Sequence, residues 1–263
     1  MTTSAAEALR DGVLRDDRAA VDKAISLLVA FGDQASTGIG VSELARRAQL
    51  SKSTAHRVLG MLERNGVVER AGTGYRLGAR LHELGQAVYP RRHEALRDRL
   101  LPHLTDLYEL TRQTVHLAML HGPDVVFPAK LYGHHSVLAP SRIGGRLPAH
   151  CTGVGKVLLA YDAEAAAQAV AVPLRQLTGS TITTSDDLLA ELARIREVGV
   201  SFDHGESWSG LSCVAAPVFG PGRRVVAALS VAGQTGRIDL DRANVEVRRV
   251  SAAASQVLAK AAA

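Results

Sequence analysis

Three groups of residues in this chain have types and spacings that can do chemistry. The first is Ser51, Lys52, Ser53, Thr54, His56 and Arg57. Hydroxyls, an imidazole and two cations so close together suit phosphate oxygens and base edges, and Arg57 can donate two parallel hydrogen bonds to a guanine. The second is HCTGVGKVLLA at 150–160. It resembles a nucleotide-binding P-loop only superficially, because His150 stands where a glycine is needed and Val157 where a Mg²⁺-binding hydroxyl belongs. It reads better as a helix start whose backbone N–H groups, from about Thr152 to Gly155, face an anion. Gly153 and Gly155 would allow close approach of a ligand, or equally close packing of the helix itself. The third is Asp203, His204, Glu206 and Cys213. These types suit a Cys/His/acid nucleophilic site or a metal site, and His134-His135 and His150-Cys151 add loose candidates. The spacing fixes neither geometry, and a thiol beside small apolar strand residues is more often core. Trp208, the only tryptophan, stands in a Gly/Ser loop and would line a pocket or an interface.

The elements that must position these groups are legible from periodicity. Val41, Leu44, Ala45 and Ala48 form one apolar helical stripe, and Ala55, Val58, Leu59 and Leu62 form another. Only Gln49-Leu50-Ser51 separates them, which is helix-turn-helix spacing. Ser51 is the expected N-cap of the second helix, whose outward residues are then Lys52, Ser53, His56 and Arg57, with Thr54 at the boundary. An earlier helix over about 17–31 should turn Val21, Ala24, Ile25 and Leu28 inward, and GDQASTGIG follows as a loop. After Asn65-Gly66, the run VVER-AGTG-YRLG predicts a two-stranded wing, placing Arg76 and the Gly72–Gly74 turn over the DNA backbone or minor groove. A linker helix over about 79–89 should end at Pro90.

Beyond it the pattern predicts a helix over 93–111, then strands QTVHLAML and VVFPAKLYG around the turn HGPD. A loop at 133–148 leads to helices at 151–161, 162–170 and 185–199, the last capped by Ser185 or Asp186 and by Gly199. A strand at GVSFDHGE, an antiparallel pair GLSCVAAPVFG and RRVVAALSVAG, and a helix over 241–261 complete an α+β domain.

Charge follows the same division. Residues 41–80 carry eight Lys/Arg and three acids, a net +5 that equals the net charge of the whole chain. The basic excess is therefore local, as a phosphate-binding module requires. No apolar run reaches the roughly 18–20 residues of a membrane span. The first twenty residues lack an apolar signal core, and two cysteines make no disulfide framework. A soluble, cytoplasmic protein without a cofactor is expected.

Read together, LARRAQLSKSTAHRVLGMLERNGVVER (44–70), GYRLG (74–78), RLPAHCTGVGKVLLA (146–160), FDHGESWSGLSCVAAPVFG (202–220) and VVAALSVAG (225–233) resemble the IclR family of transcriptional regulators. The resemblance implies a winged helix joined to a GAF-like effector domain. It also implies dimers or dimers of dimers formed through the N-terminal region, operators with repeated half-sites, and small organic or aromatic acids as effectors. The pocket positions it implies are Gly153, Val154, Asp203, Cys213 and Ser230, with Lys156 structural. Gly153-Val154 stands where many members have Ala-Leu, Trp208-Ser209 fills a variable loop, and His134-His135 would face the pocket mouth.

The expected organisation is an extension at 1–16, a DNA-binding domain at 17–78, a linker helix at 79–92 and an effector domain at 93–263. The expected activity is that of a non-enzymatic repressor binding double-stranded DNA, controlled by an acid held by Thr152, Gly153, Val154, Asp203, Trp208, Cys213 and Ser230. The alternatives are a metal-responsive regulator and a winged helix fused to an enzyme.

Overall fold

The computed structural model describes residues 19–32, 37–86, 91–134 and 140–260. The expected extension at 1–16, the start of the first helix, His135, Pro90 and the last helical residue fall outside them. The chain divides into two compact units, 1–90 and 91–263.

The first unit contains α1 (Ala20–Val29), α2 (Val41–Arg47), α3 (Lys52–Arg64), β1 (Val68–Ala71), β2 (Gly74–Leu77) and α4 (Ala79–Gln86). The two predicted stripes are its core: Leu44, Ala45, Ala48, Ala55, Val58 and Leu59 are buried, together with Leu27, Phe31, Val68 and Tyr75. Each fully buried leucine among them contributes about 2 kcal/mol by leaving water. The turn between α2 and α3 is made by Gln49 in the left-handed region, at φ 55°. Ile39 lies in the expected loop but bridges to Tyr75 (Ile39 N to Tyr75 O 2.7 Å), extending the wing.

The inward face of α1 differs from expectation. Val21 is 70% exposed, Ile25 55% and Val29 74%, while Leu27 and Phe31 are buried and Ala24 and Leu28 half-buried. The helix carries two apolar stripes, and the one containing the larger leucine and phenylalanine takes the core.

The second unit contains α5 (Arg91–Thr111), β3 (Thr114–His121), β4 (Asp124–Leu131), β5 (Arg146–Pro148), α6 (Gly153–Ala160), α7 (Ala163–Val170), α8 (Ser185–Val198), β6 (Ser201–His204), β7 (Leu211–Phe219), β8 (Val225–Gln234) and α9 (Leu240–Lys260). The strands form one antiparallel sheet in the order β5-β4-β3-β8-β7-β6. Strand β5, three residues long, was expected as loop. The N-cap of α8 is Thr184, whose hydroxyl accepts from Asp187 N at 3.2 Å, one residue before the expected cap.

Helices cover both sheet faces, which is why β7 and β8 are almost wholly buried. Alternation sends Ala118, Ala215 and Ala228 into one core with α6 and α8, and their neighbours Leu117, Val214 and Leu229 to the opposite face. Helix α6 is buried along all eight residues. It is therefore fixed against the sheet face on which the predicted effector residues meet.

Candidate functional site

In the first unit, Ser51 caps α3 as expected: its hydroxyl accepts from Thr54 N at 3.2 Å and contacts Ser53 Oγ at 3.1 Å. Lys52, Ser53, His56 and Arg57 are exposed, and Thr54 is half-buried. Ion pairing separates the basic residues of the segment. Arg46 and Arg47 bond to Glu43, Arg70 to Glu63, Arg76 to Glu69 and Arg80 to Glu83. Lys52, Arg57 and Arg64, all on α3, make no ion pair among the described residues. Among the described residues of this segment, the cations without an ion pair thus lie on the second helix of the motif, the one placed in the major groove in this architecture.

Arg76 was expected at DNA, yet two hydrogen bonds of 2.9 and 3.1 Å hold it on Glu69. Arg70 lies 4.2 Å from the Tyr75 ring centre and bonds Glu63 at 3.3 Å, tying the wing to α3. Gly72, at φ 58°, makes the wing turn with open space around it.

In the second unit, Thr152, Gly153, Val154, Asp203, Cys213 and Ser230 line one cavity. Register explains the convergence: Asp203, Cys213 and Ala232 pair across β6, β7 and β8, and Ser230 pairs with His116 of β3 two residues along. All of these side chains point to the α6 face. Thr152 caps α6 by accepting from Gly155 N at 3.0 Å. A Cβ on Gly153 would come within 2.9 Å of Cys213 Sγ, so glycine is what lets this helix end approach the sheet. Gly155 serves packing alone, since a Cβ there would lie 2.1 Å from Ala149 O. Trp208 is not among the lining residues; it is 48% exposed in the loop after β6.

Several lining residues were not foreseen: His116, Phe127, Ser141, Leu147, Ser207 and Leu211. His116 is buried between Ser230 Oγ (3.2 Å) and Ser141 Oγ (2.8 Å), and burial with the nearby Lys130 charge pushes its pKa down to about 3. Asp203 accepts from Glu206 N at 2.7 Å and Ser207 Oγ at 3.2 Å. Below it, the buried ammonium of Lys156 bonds Glu206, and Phe202 O at 2.8 Å, which gives Lys156 the structural place expected. Burial holds the Glu206 carboxyl up at about 7 despite that partner. Thr178 and Thr181 each donate at 2.7 Å to the carbonyls of Gly205 and Glu206, fixing the loop.

The grouping of Cys213, Asp203 and His204 considered from the sequence does not assemble. Asp203 and Cys213 face the cavity, but the adjacent His204 points to the other side of β6, exposed and stacked on Phe202. Burial pushes the Cys151 thiol up to about 12 and the Cys213 thiol higher still, which makes both poor nucleophiles. Among the described residues, no group of three His, Cys, Asp or Glu is placed to hold a metal ion. His134 is exposed near Tyr108, outside the cavity lining.

A winged helix whose second helix carries cations without an ion pair among the described residues, and a separate sheet domain whose cavity has both apolar and polar lining residues, define a ligand-responsive transcription regulator. Residues 20–72 match the IclR helix-turn-helix domain, and residues 91–259 match the C-terminal domain of bacterial IclR transcriptional regulators. The chain is 36% identical over 223 residues to the transcriptional regulator XynR of Escherichia coli, covering 83% of this chain and 87% of that one. It is 31% identical over 230 residues to the transcriptional repressor IclR of the same organism, covering 85% and 83%. The crystal structure of an IclR homolog from Microbacterium hydrocarbonoxydans, complexed with 4-hydroxybenzoate, superposes with a TM-score of 0.72 at 28% identity, covering 91% of this chain and 99% of that one. The chain belongs to the IclR family of transcriptional regulators.

Proposed function

We propose that this regulator is a cytoplasmic repressor whose operator binding is set by a small carboxylic acid held in the cavity of the second unit. The observation that carries the reading is the convergence of Thr152, Gly153, Val154, Asp203, Cys213 and Ser230 on one cavity. The 4-hydroxybenzoate bound by a structural relative, and the repressor among the sequence relatives, support it. Operator contacts fall to Lys52, Ser53, Thr54, His56 and Arg57, with Ser51 as cap and Arg76 as a wing contact once released from Glu69. Residues 17–78 form the DNA-binding domain, 79–92 the linker and 93–263 the effector domain.

The working unit is a homodimer or a dimer of dimers. The exposed stripe of Val21, Ile25 and Val29 on α1 supports this, because an apolar ridge outside the core gains by covering itself. A two-fold dimer presents two recognition helices to two half-sites. An acid that prefers one arrangement of the dimer shifts the population and with it the DNA affinity.

Footprinting on the chain's own upstream DNA, at two salt concentrations and with a panel of carboxylic acids, tests this. A repeated half-site whose protection one acid shifts or abolishes is expected. No protected site at low salt would overturn the reading.

A further inference from the structure

The outward ridge of α3 runs past Arg57 into the third turn of the helix. At about 100° per residue, Ser53, Arg57, Gly60 and Arg64 fall within about 60° of one another around the axis. That ridge stands opposite Ala55, Val58 and Leu59, which are buried in the core. Ser53, Arg57 and Arg64 are exposed and Gly60 is half-buried. Arg57 and Arg64 make no ion pair among the described residues, and the acid of α3, Glu63, is engaged by Arg70 at 3.3 Å. The ridge therefore presents two guanidiniums and no carboxylate.

Gly60 is out of place on it. It lies inside a helix of 13 residues and keeps helical backbone rather than the left-handed conformation that favours glycine. Glycine there weakens a helix relative to alanine, because its backbone is freer in the unfolded chain. Packing does not require it. Beyond the backbone of α3 itself, a Cβ at Gly60 would meet only Arg64 Nη1, at 4.0 Å. That is ordinary contact with the far end of a flexible side chain. Gly74 and Gly78 of the same unit differ, since a Cβ there would lie 2.7 Å from Ile39 O and 2.2 Å from Gly66 O.

The room left by the missing side chain at Gly60 is on the outside of the molecule's first unit. The Arg64 guanidinium leans back along it toward Arg57, the direction in which helical side chains tilt. Arg64 stands about 10 Å along the axis from Arg57, close to the ~12 Å width of a major groove. One helix can thus reach base edges with Arg57 and a groove wall with Arg64. A bare strip of backbone between two cations suits the sugar–phosphate chain of a duplex. A neutral protein surface would instead desolvate both guanidiniums without a partner.

We infer that the third turn of α3 touches the duplex, with Gly60 letting the sugar–phosphate chain come close to the helix axis and Arg64 holding a phosphate there. Gly60 is thus a positioning residue that sets how deeply α3 sits, and Arg64 adds a contact beyond the turns that carry Lys52 to Arg57. This rests on α3 being the helix that meets DNA.

The test is fluorescence anisotropy of the full-length protein on its own upstream DNA and on a random duplex, at several salt concentrations, with thermal unfolding alongside. Gly60→Ala and Gly60→Leu should raise the unfolding midpoint by about 2–4 °C, because both residues are better helix formers. The same variants should weaken operator binding, by about 5-fold or more for alanine and further for leucine, as overpacking at a tight contact does. Arg64→Ala should lower affinity for both duplexes and reduce the slope of log affinity against log salt by about 1. Undiminished operator affinity in the Gly60 variants, or an unchanged salt slope in Arg64→Ala, would overturn the inference and leave the repressor reading standing. A lowered midpoint in Gly60→Ala would also overturn it, by showing that the glycine serves the fold. Failure of the wild-type protein to bind either duplex at low salt removes the inference together with that reading.

Discussion

Glu69 and Arg76 face each other across the wing and are joined by two hydrogen bonds, so this wing guanidinium is held by its own strand pair. Arg57, on α3, has no such partner among the described residues. The two arginines should therefore respond differently to removal. Arg57→Ala is expected to weaken operator binding by about 1–3 kcal/mol and to relax base preference, whereas Arg76→Ala should cost less. Fluorescence anisotropy on operator and on random DNA separates the two, and an equal loss on both DNAs would make Arg57 a phosphate contact only.

Effector response and DNA binding should come apart at the cavity. Cys213→Ser lies in the second unit and is expected to change the acid concentration needed for release while leaving operator affinity without acid unchanged. A folded variant that has lost basal operator binding would count against a pure cavity role.

Packing at α6 gives a stability prediction. A methyl at Gly155 would meet the Ala149 carbonyl at 2.1 Å, backbone that cannot rotate away. Gly155→Ala is expected to destabilise by about 1–3 kcal/mol or more, read by urea unfolding. At Gly72, where space is open but φ is 58°, alanine should cost about 1 kcal/mol from backbone strain alone. Equal and negligible losses at both positions would contradict the close approach of α6.

His116 gives the fold an acid-sensitive component. Its folded pKa, about 3, lies below the ordinary 6.5, so the folded state holds it neutral. The unfolded chain binds the proton first. The contribution is complete above about pH 6.5 and is lost as pH falls toward 3, with a ceiling of order 5 kcal/mol. Unfolding of wild type and His116→Gln between pH 7 and 4 should show a shallower decline in the variant.

Ile25→Glu places a charge in the exposed stripe of α1 without touching Leu27 or Phe31. Sedimentation should show a smaller assembly, and operator affinity should fall because two half-sites are no longer held by one particle. An unchanged assembly would assign that stripe another use.

The helix-turn-helix was legible because one apolar stripe per helix and a three-residue turn leave little choice of packing. The inward face of α1 was not: Val21, Ile25, Leu27, Leu28 and Phe31 offer two stripes, and only the tertiary neighbours select between them. The cavity was half legible. Thr152, Gly153 and Val154 are contiguous and carry a helix-start pattern, and Asp203 and Cys213 attract notice by type. Ser230 was expected through the family resemblance, whereas His116 and Ser141 come from separate segments that only the folded domain brings to it. The ion pairs that engage Arg46, Arg47, Arg70, Arg76 and Arg80 depend on side-chain reach and are invisible to a count of charges.

The cavity measures about 30 Å³, whereas a cavity that accepts benzene measures about 150 Å³. The walls must part before an aromatic acid can enter, and the free energy of parting is subtracted from whatever the contacts gain. In the proposed effector site that cost is expected to appear as modest affinity for an aromatic acid. The same reluctance would set a threshold, with traces of ligand leaving the cavity shut and an accumulated one opening it.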